Sequence, residues 1–77
     1  MPKITELWCW VAEDASPDDE GIPAVSVQGV MLPLIGADED RLRSLREIAA
    51  RLAKQHGKSL RLYRFSGTRE LVDEVKP

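Results

Sequence analysis

Leu7, Cys9 and Val11 alternate along residues 4–12, and Ile4, Glu6, Trp8, Trp10 and Ala12 take the opposite parity, so the segment reads as a β-strand. Its centre is apolar on both faces. That predicts a strand that is central in its sheet or covered on both sides. Val25 and Val27 alternate around Ser26, and a second apolar run, Val30 to Ile35, follows Gln28-Gly29. Two short strands around that pair are expected. Pro33 confines the second to an edge, or to a position whose N–H is not needed.

From Asp38 the period changes. Leu42, Leu45, Ala49 and Leu52 recur every three or four residues and make one apolar helix stripe, flanked by Ile48 and Ala53. Asp38 suits the N-cap, and Glu39 and Asp40 put negative charge where the helix dipole favours it. Lys54 and His56 fall in the last turn, and Gly57 is the expected left-handed terminator. Glu39, Arg43, Glu47 and Arg51 run at i, i+4 down the outer face as a ladder of ion pairs, each worth about 0.2–0.5 kcal/mol.

Leu60 and Leu62 then alternate with Arg61, Tyr63 and Phe65, which reads as another strand ending at the turn Ser66-Gly67-Thr68. Residues 69–75 are ambiguous. Leu71 and Val75 suit a helix, while the preceding turn and two valines suit a terminal strand, which is the expected state. The β–helix–β order from Val30 to Phe65 fits a crossover joining a parallel strand pair. The expected fold is α+β: a small mixed β-sheet of about four to five short strands with a single amphipathic helix packed on one face. Residues 1–77 form one domain, with an acidic loop at 13–23 that holds five acids, two prolines and a glycine.

The chain has four aromatic residues: Trp8, Trp10, Tyr63 and Phe65. Each pair shares parity within its own strand. If the strands share a sheet, all four can fall on one face, leaving Leu7, Cys9, Val11, Leu60 and Leu62 for the helix. One helix covers one side of a small sheet. The aromatic side is then core under residues 21–36, a protein interface, or a base-stacking platform.

Charge sharpens this picture. Residues 1–40 carry one base and nine acids, a balance of -8, while residues 41–77 carry ten bases and four acids, a balance of +6. Such a partition points to an anionic partner or to self-association, or else the halves neutralise each other within the fold. The overall charge of -2 weighs against non-specific nucleic-acid binding.

Chemistry adds little. Cys9 and His56 are single residues of their kinds, which argues against a zinc site and against a disulfide. His56-Gly57-Lys58-Ser59 ends like a phosphate-binding loop, but Leu52 stands where its first glycine belongs, and the segment leaves a helix instead of entering one. The acids of the loop lack calcium-loop spacing. No cofactor, metal or catalytic residue is expected. The apolar runs are too short for a signal peptide or a membrane span, and the reduced cytoplasm is the expected setting.

These features predict a non-enzymatic protein-interaction module, an adaptor or regulatory subunit, self-association included. Trp8, Trp10, Arg61, Tyr63 and Phe65 are the expected partner-binding residues. Asp18, Asp19, Glu20, Arg43, Arg51, Lys54, Lys58 and Arg64 supply electrostatic orientation. The alternative is a single-stranded nucleic-acid binder that stacks bases on the same aromatics. No membrane partner is expected.

Overall fold

The computed structural model describes residues 3–13, 16 and 18–77. Asp14, part of the expected acidic loop, lies outside them. The element order is β1 (Glu6–Glu13), β2 (Glu20–Gly21), β3 (Ala24–Val27), β4 (Val30–Pro33), β5 (Ile35–Gly36), α1 (Glu39–Ser44), α2 (Arg46–His56) and β6 (Leu60–Ser66). The fold is a small α+β one, as the sequence predicts.

β1 is the centre of the main sheet. β6 lies antiparallel along one edge, from Glu6 opposite Ser66 to Ala12 opposite Leu60. The other edge is shared by β2, at Ala12 and Glu13, and β5, at Trp8 and Cys9. The crossover from β5 through the helices to β6 is present. The two strands it links run the same way, but β1 lies between them. The expected parallel pair is therefore replaced by two antiparallel ones, because the long apolar β1 can pair on both edges.

β3 and β4 form a separate two-stranded sheet. Gln28 and Gly29 both have positive φ, 51° and 81°, the two-residue turn whose twist matches a hairpin. Pro33 sits at the end of the hairpin, opposite Ala24. The hairpin is tied to the body where the Trp10 amide donates to the Leu34 carbonyl (3.0 Å), just past β4, and where Val25 packs on the core.

The helix begins and ends where expected. The Asp38 carboxylate accepts from the Asp40 amide at 2.9 Å. Gly57 closes α2 in the left-handed region (φ 63°), its amide bonded to the Ala53 carbonyl. Between these ends there are two helices instead of one. The break is at Leu45, and it coincides with a side chain entering the backbone ladder: the Trp10 indole Nε1 donates to the Leu42 carbonyl at 3.0 Å. That carbonyl also accepts from the Leu45 amide, three residues on. The ion-pair ladder is realised at Glu39–Arg43 (2.6 Å), and the break interrupts it before Glu47.

The core lies between one sheet face and the helices. It consists of Trp10, Leu34, Leu42 and Ala49, with Trp8, Val25, Leu45, Leu52, Leu60 and Leu62 packed around it. Gly36 lets β5 approach α1 closely, since a Cβ on it would come within 2.9 Å of Leu42 Cδ2 and push that buried side chain aside.

Residues 67–77 form neither strand nor helix, which corrects the terminal strand expected at 69–75. Their apolar residues are solvated, Leu71 at 79% and Val75 at 93% exposure. Leu71, Val72 and Val75 keep no two-residue period, and two residues on one helical face do not repay a nucleation cost. The radius of gyration is 14.3 Å, against about 11.5 Å for a compact chain of this length.

Candidate protein-binding face

Residues opposite each other on antiparallel strands share a sheet face, so the register decides which side chains meet. Trp8 lies opposite Arg64, Trp10 opposite Leu62 and Ala12 opposite Leu60. These face the helices. Leu7 lies opposite Phe65, Cys9 opposite Tyr63 and Val11 opposite Arg61. These face away, together with Ile35 across the other edge of β1.

The four aromatics therefore do not share a face. The parity within each strand is as expected, but the strands meet one residue out of the expected phase, and such a shift exchanges the faces. The tryptophans go to the core. Trp10 is 8% exposed and Trp8 is half-buried. This is the better use of them, because the indole N–H finds a carbonyl that the helix break leaves within reach. Leu60 and Leu62 face the helix as expected, whereas Leu7, Cys9 and Val11 do not.

The face opposite the helices carries Leu7, Ile35, Tyr63 and Phe65, all exposed, with Phe65 at 57%. The Tyr63 and Phe65 rings are 6.5 Å apart and tilted at 49°. Beneath and between these larger groups, Cys9 is 1% exposed and Val11 is also buried. Burial pushes the Cys9 thiol up, and the negative charge of Glu20 adds to the shift. A thiol so placed is a small apolar filler. At one end of the face, Arg61 Nη1 bonds Glu13 Oε1 at 3.1 Å. A hydrogen bond with Tyr63 and the charge of Glu13 both hold the guanidinium in its charged form.

The hairpin adds apolar surface that the sequence reading did not place. Val27, Val30, Met31 and Leu32 are exposed, with Met31 at 62%. Val25, Val27, Val30 and Leu32 share one hairpin face, which runs from the core out to the turn. The signal was present: two short apolar strands cannot be covered by a helix already committed to β1 and β6.

The expected electrostatic residues are spread over the surface. Asp18, Asp19 and Glu20 are exposed, and the Asp19 amide turns back to the Ser16 carbonyl at 3.0 Å. Arg43 is paired with Glu39. Arg51 and Lys54 stand on the solvent side of α2. Arg61 and Arg64 take opposite sheet faces, as their spacing requires. His56 and Lys58 border a cavity of about 290 Å³ with Leu52 and Leu60, on the helix side of the sheet and away from Cys9. Among the described residues, no group of three or more His, Cys, Asp or Glu side chains is placed to hold a metal ion. No helix among them is long and apolar enough to cross a membrane.

Compared with known proteins, the chain matches no protein family, no curated protein and no solved structure.

Proposed function

We propose that the protein is a non-enzymatic interaction module that binds another protein chain through the open face of its main sheet. The observation that carries this reading is the exposure of Leu7, Ile35, Tyr63 and Phe65 on the face of the main sheet that no helix covers. A row of large apolar groups with a charged pair at its end has the make-up of an interface: aromatic and aliphatic anchors at the centre, polar groups at the rim. Trp8 and Trp10 act indirectly, by fixing the sheet against the helices. The acidic residues Asp18, Asp19 and Glu20 and the bases Arg61 and Arg64 steer the encounter. The cytoplasmic setting expected from the sequence is kept as part of this proposal.

Site-specific photo-crosslinking tests it. A photoreactive residue at position 65 or 7 gives discrete protein adducts in producing cells, and one at Arg51, on the solvent side of α2, gives none. Absence of adducts at both 65 and 7 contradicts the reading.

Single-stranded nucleic acid is the second reading, favoured by the adjacent Tyr63 and Phe65 rings beside Arg61. Two stacking groups remain to it instead of four, and Glu13 already engages Arg61. Fluorescence anisotropy of a labelled oligonucleotide separates the two: this second reading requires binding that weakens with salt and is lost in Tyr63→Ala/Phe65→Ala.

A further inference from the structure

We infer that residues 70–73 of one copy add as a strand to the outer edge of β6 in a second copy. The inference rests on the reading of the chain as an interaction module and names both the surface and its occupant. β6 pairs with β1 along one edge, and among the described residues nothing pairs with its other edge. An exposed strand edge with unpaired N–H and C=O groups is a template for another strand. The 70–75 segment has the complementary lack: it belongs to no sheet, and Leu71, Val72 and Val75 are solvated.

The sequences match over four residues. β6 reads Arg61-Leu62-Tyr63-Arg64, base–apolar–apolar–base. The segment reads Glu70-Leu71-Val72-Asp73, acid–apolar–apolar–acid. Laid antiparallel, Glu70 meets Arg64, Leu71 meets Tyr63, Val72 meets Leu62 and Asp73 meets Arg61. A shift of one residue in one direction sets Leu71 against Arg64 and Asp73 against Leu62. A shift in the other sets Val72 against Arg61 and Glu70 against Tyr63. Among antiparallel registers the charge pattern thus selects one. In that register Leu71 and Asp73 fall on the open face, extending the apolar row at Tyr63 and adding a second acid beside Arg61.

The partner is a second copy because of where the segment starts. Residues 67–69 keep to the β1 side of β6. With Ile4–Leu7, Phe65 and Ser66 they border a cavity of about 320 Å³, and Arg69 Nη1 reaches the Ile4 carbonyl at 3.5 Å. The chain therefore leaves past the end of the sheet, away from the outer edge of its own β6. Two copies exchanging this segment reciprocally form a closed two-fold pair.

Sedimentation equilibrium on full-length chains tests the exchange. The unaltered chain associates as a dimer. Glu70→Lys/Asp73→Lys and Arg61→Glu/Arg64→Glu each weaken that dimer at least tenfold, and an equimolar mixture of the two variants recovers a heterodimer. A chain that stays monomeric at millimolar concentration overturns the inference, as does a Glu70→Lys/Asp73→Lys variant that dimerises like the unaltered chain. A monomer whose residue 61–64 amides lose exchange protection on Glu70→Lys/Asp73→Lys also overturns it, since the segment then folds onto its own strand. None of these failures touches the open-face reading, which is tested separately by the adducts at positions 65 and 7.

Discussion

The Trp10 indole N–H donates to the Leu42 carbonyl across the sheet–helix interface, at 3.0 Å and in the buried core. This one bond joins the strand at the centre of the sheet to the end of α1. It assigns the tryptophan-bearing face to the helices and so leaves the Tyr63–Phe65 face open.

Trp10→Phe keeps most of the ring volume and removes the donor. It is expected to cost about 1 kcal/mol, the net worth of an ordinary hydrogen bond. Trp10→Ala empties the site and is expected to cost about 3–5 kcal/mol. Urea denaturation measures both. A loss near zero for Trp10→Phe would mean that the indole N–H contributes nothing.

Phe65 provides the contrast. It is aromatic like Trp10, sits on the neighbouring strand, and faces the other way. Phe65→Ala is expected to change stability by no more than about 0.5 kcal/mol, as for an exposed side chain. The same denaturation experiment reads it, and a loss comparable to that of Trp10→Ala would place Phe65 in the core.

Gly36 and Leu42 are expected to be coupled. The Cβ of Gly36→Ala meets Leu42 Cδ2 at 2.9 Å, so the substitution displaces the buried Leu42 side chain at a cost of about 1–3 kcal/mol. In a Leu42→Ala background the obstructing methyl is gone, and the same substitution should cost much less. A double-mutant cycle measures the difference. Additive losses would rule out this contact as the cause.

Cys9 links the sheet to pH. Its thiol is raised above the ordinary value of 9.0 by burial first and the charge of Glu20 second. The folded state therefore holds its proton to higher pH than the unfolded state does. The contribution to stability is complete below the unfolded-state value and is lost as pH rises through the folded-state value. Denaturation midpoints taken from neutral to alkaline pH should fall less for Cys9→Ser than for the unaltered chain. Thiol-reactive probes should label Cys9 slowly in the folded state and rapidly in urea. Rapid labelling of the folded state would contradict the burial.

What was legible in the sequence is what local rules decide. Asp38 and Gly57 bound the helical region because capping depends on a few neighbouring atoms. Gln28-Gly29 makes its turn because both positions need positive φ. The within-strand parities of Trp8 with Trp10 and of Tyr63 with Phe65 hold because the pleat imposes them. The pairing of Cys9 with Tyr63 is not local. It depends on which strand face brings more stabilisation against the helices, and the tryptophans decide that through area and the bond to Leu42. The break at Leu45 was hidden for the same reason, since its cause lies 35 residues away in the chain, at Trp10. Residues 69–75 misled because strand-forming residue types do not make a strand without an edge within reach, and residues 67–69 lead the chain away from the outer edge of β6.

The central claim is that the working face lies opposite the tryptophans. Side-chain NMR with a soluble paramagnetic agent tests it most directly, at concentrations where the chain is monomeric. The account predicts strong broadening of the Tyr63 and Phe65 ring signals and of the Leu7 and Ile35 methyls, with the Trp10 indole N–H and the Leu42 methyls spared. Broadening of the Trp10 indole with protected Tyr63 and Phe65 rings would contradict it.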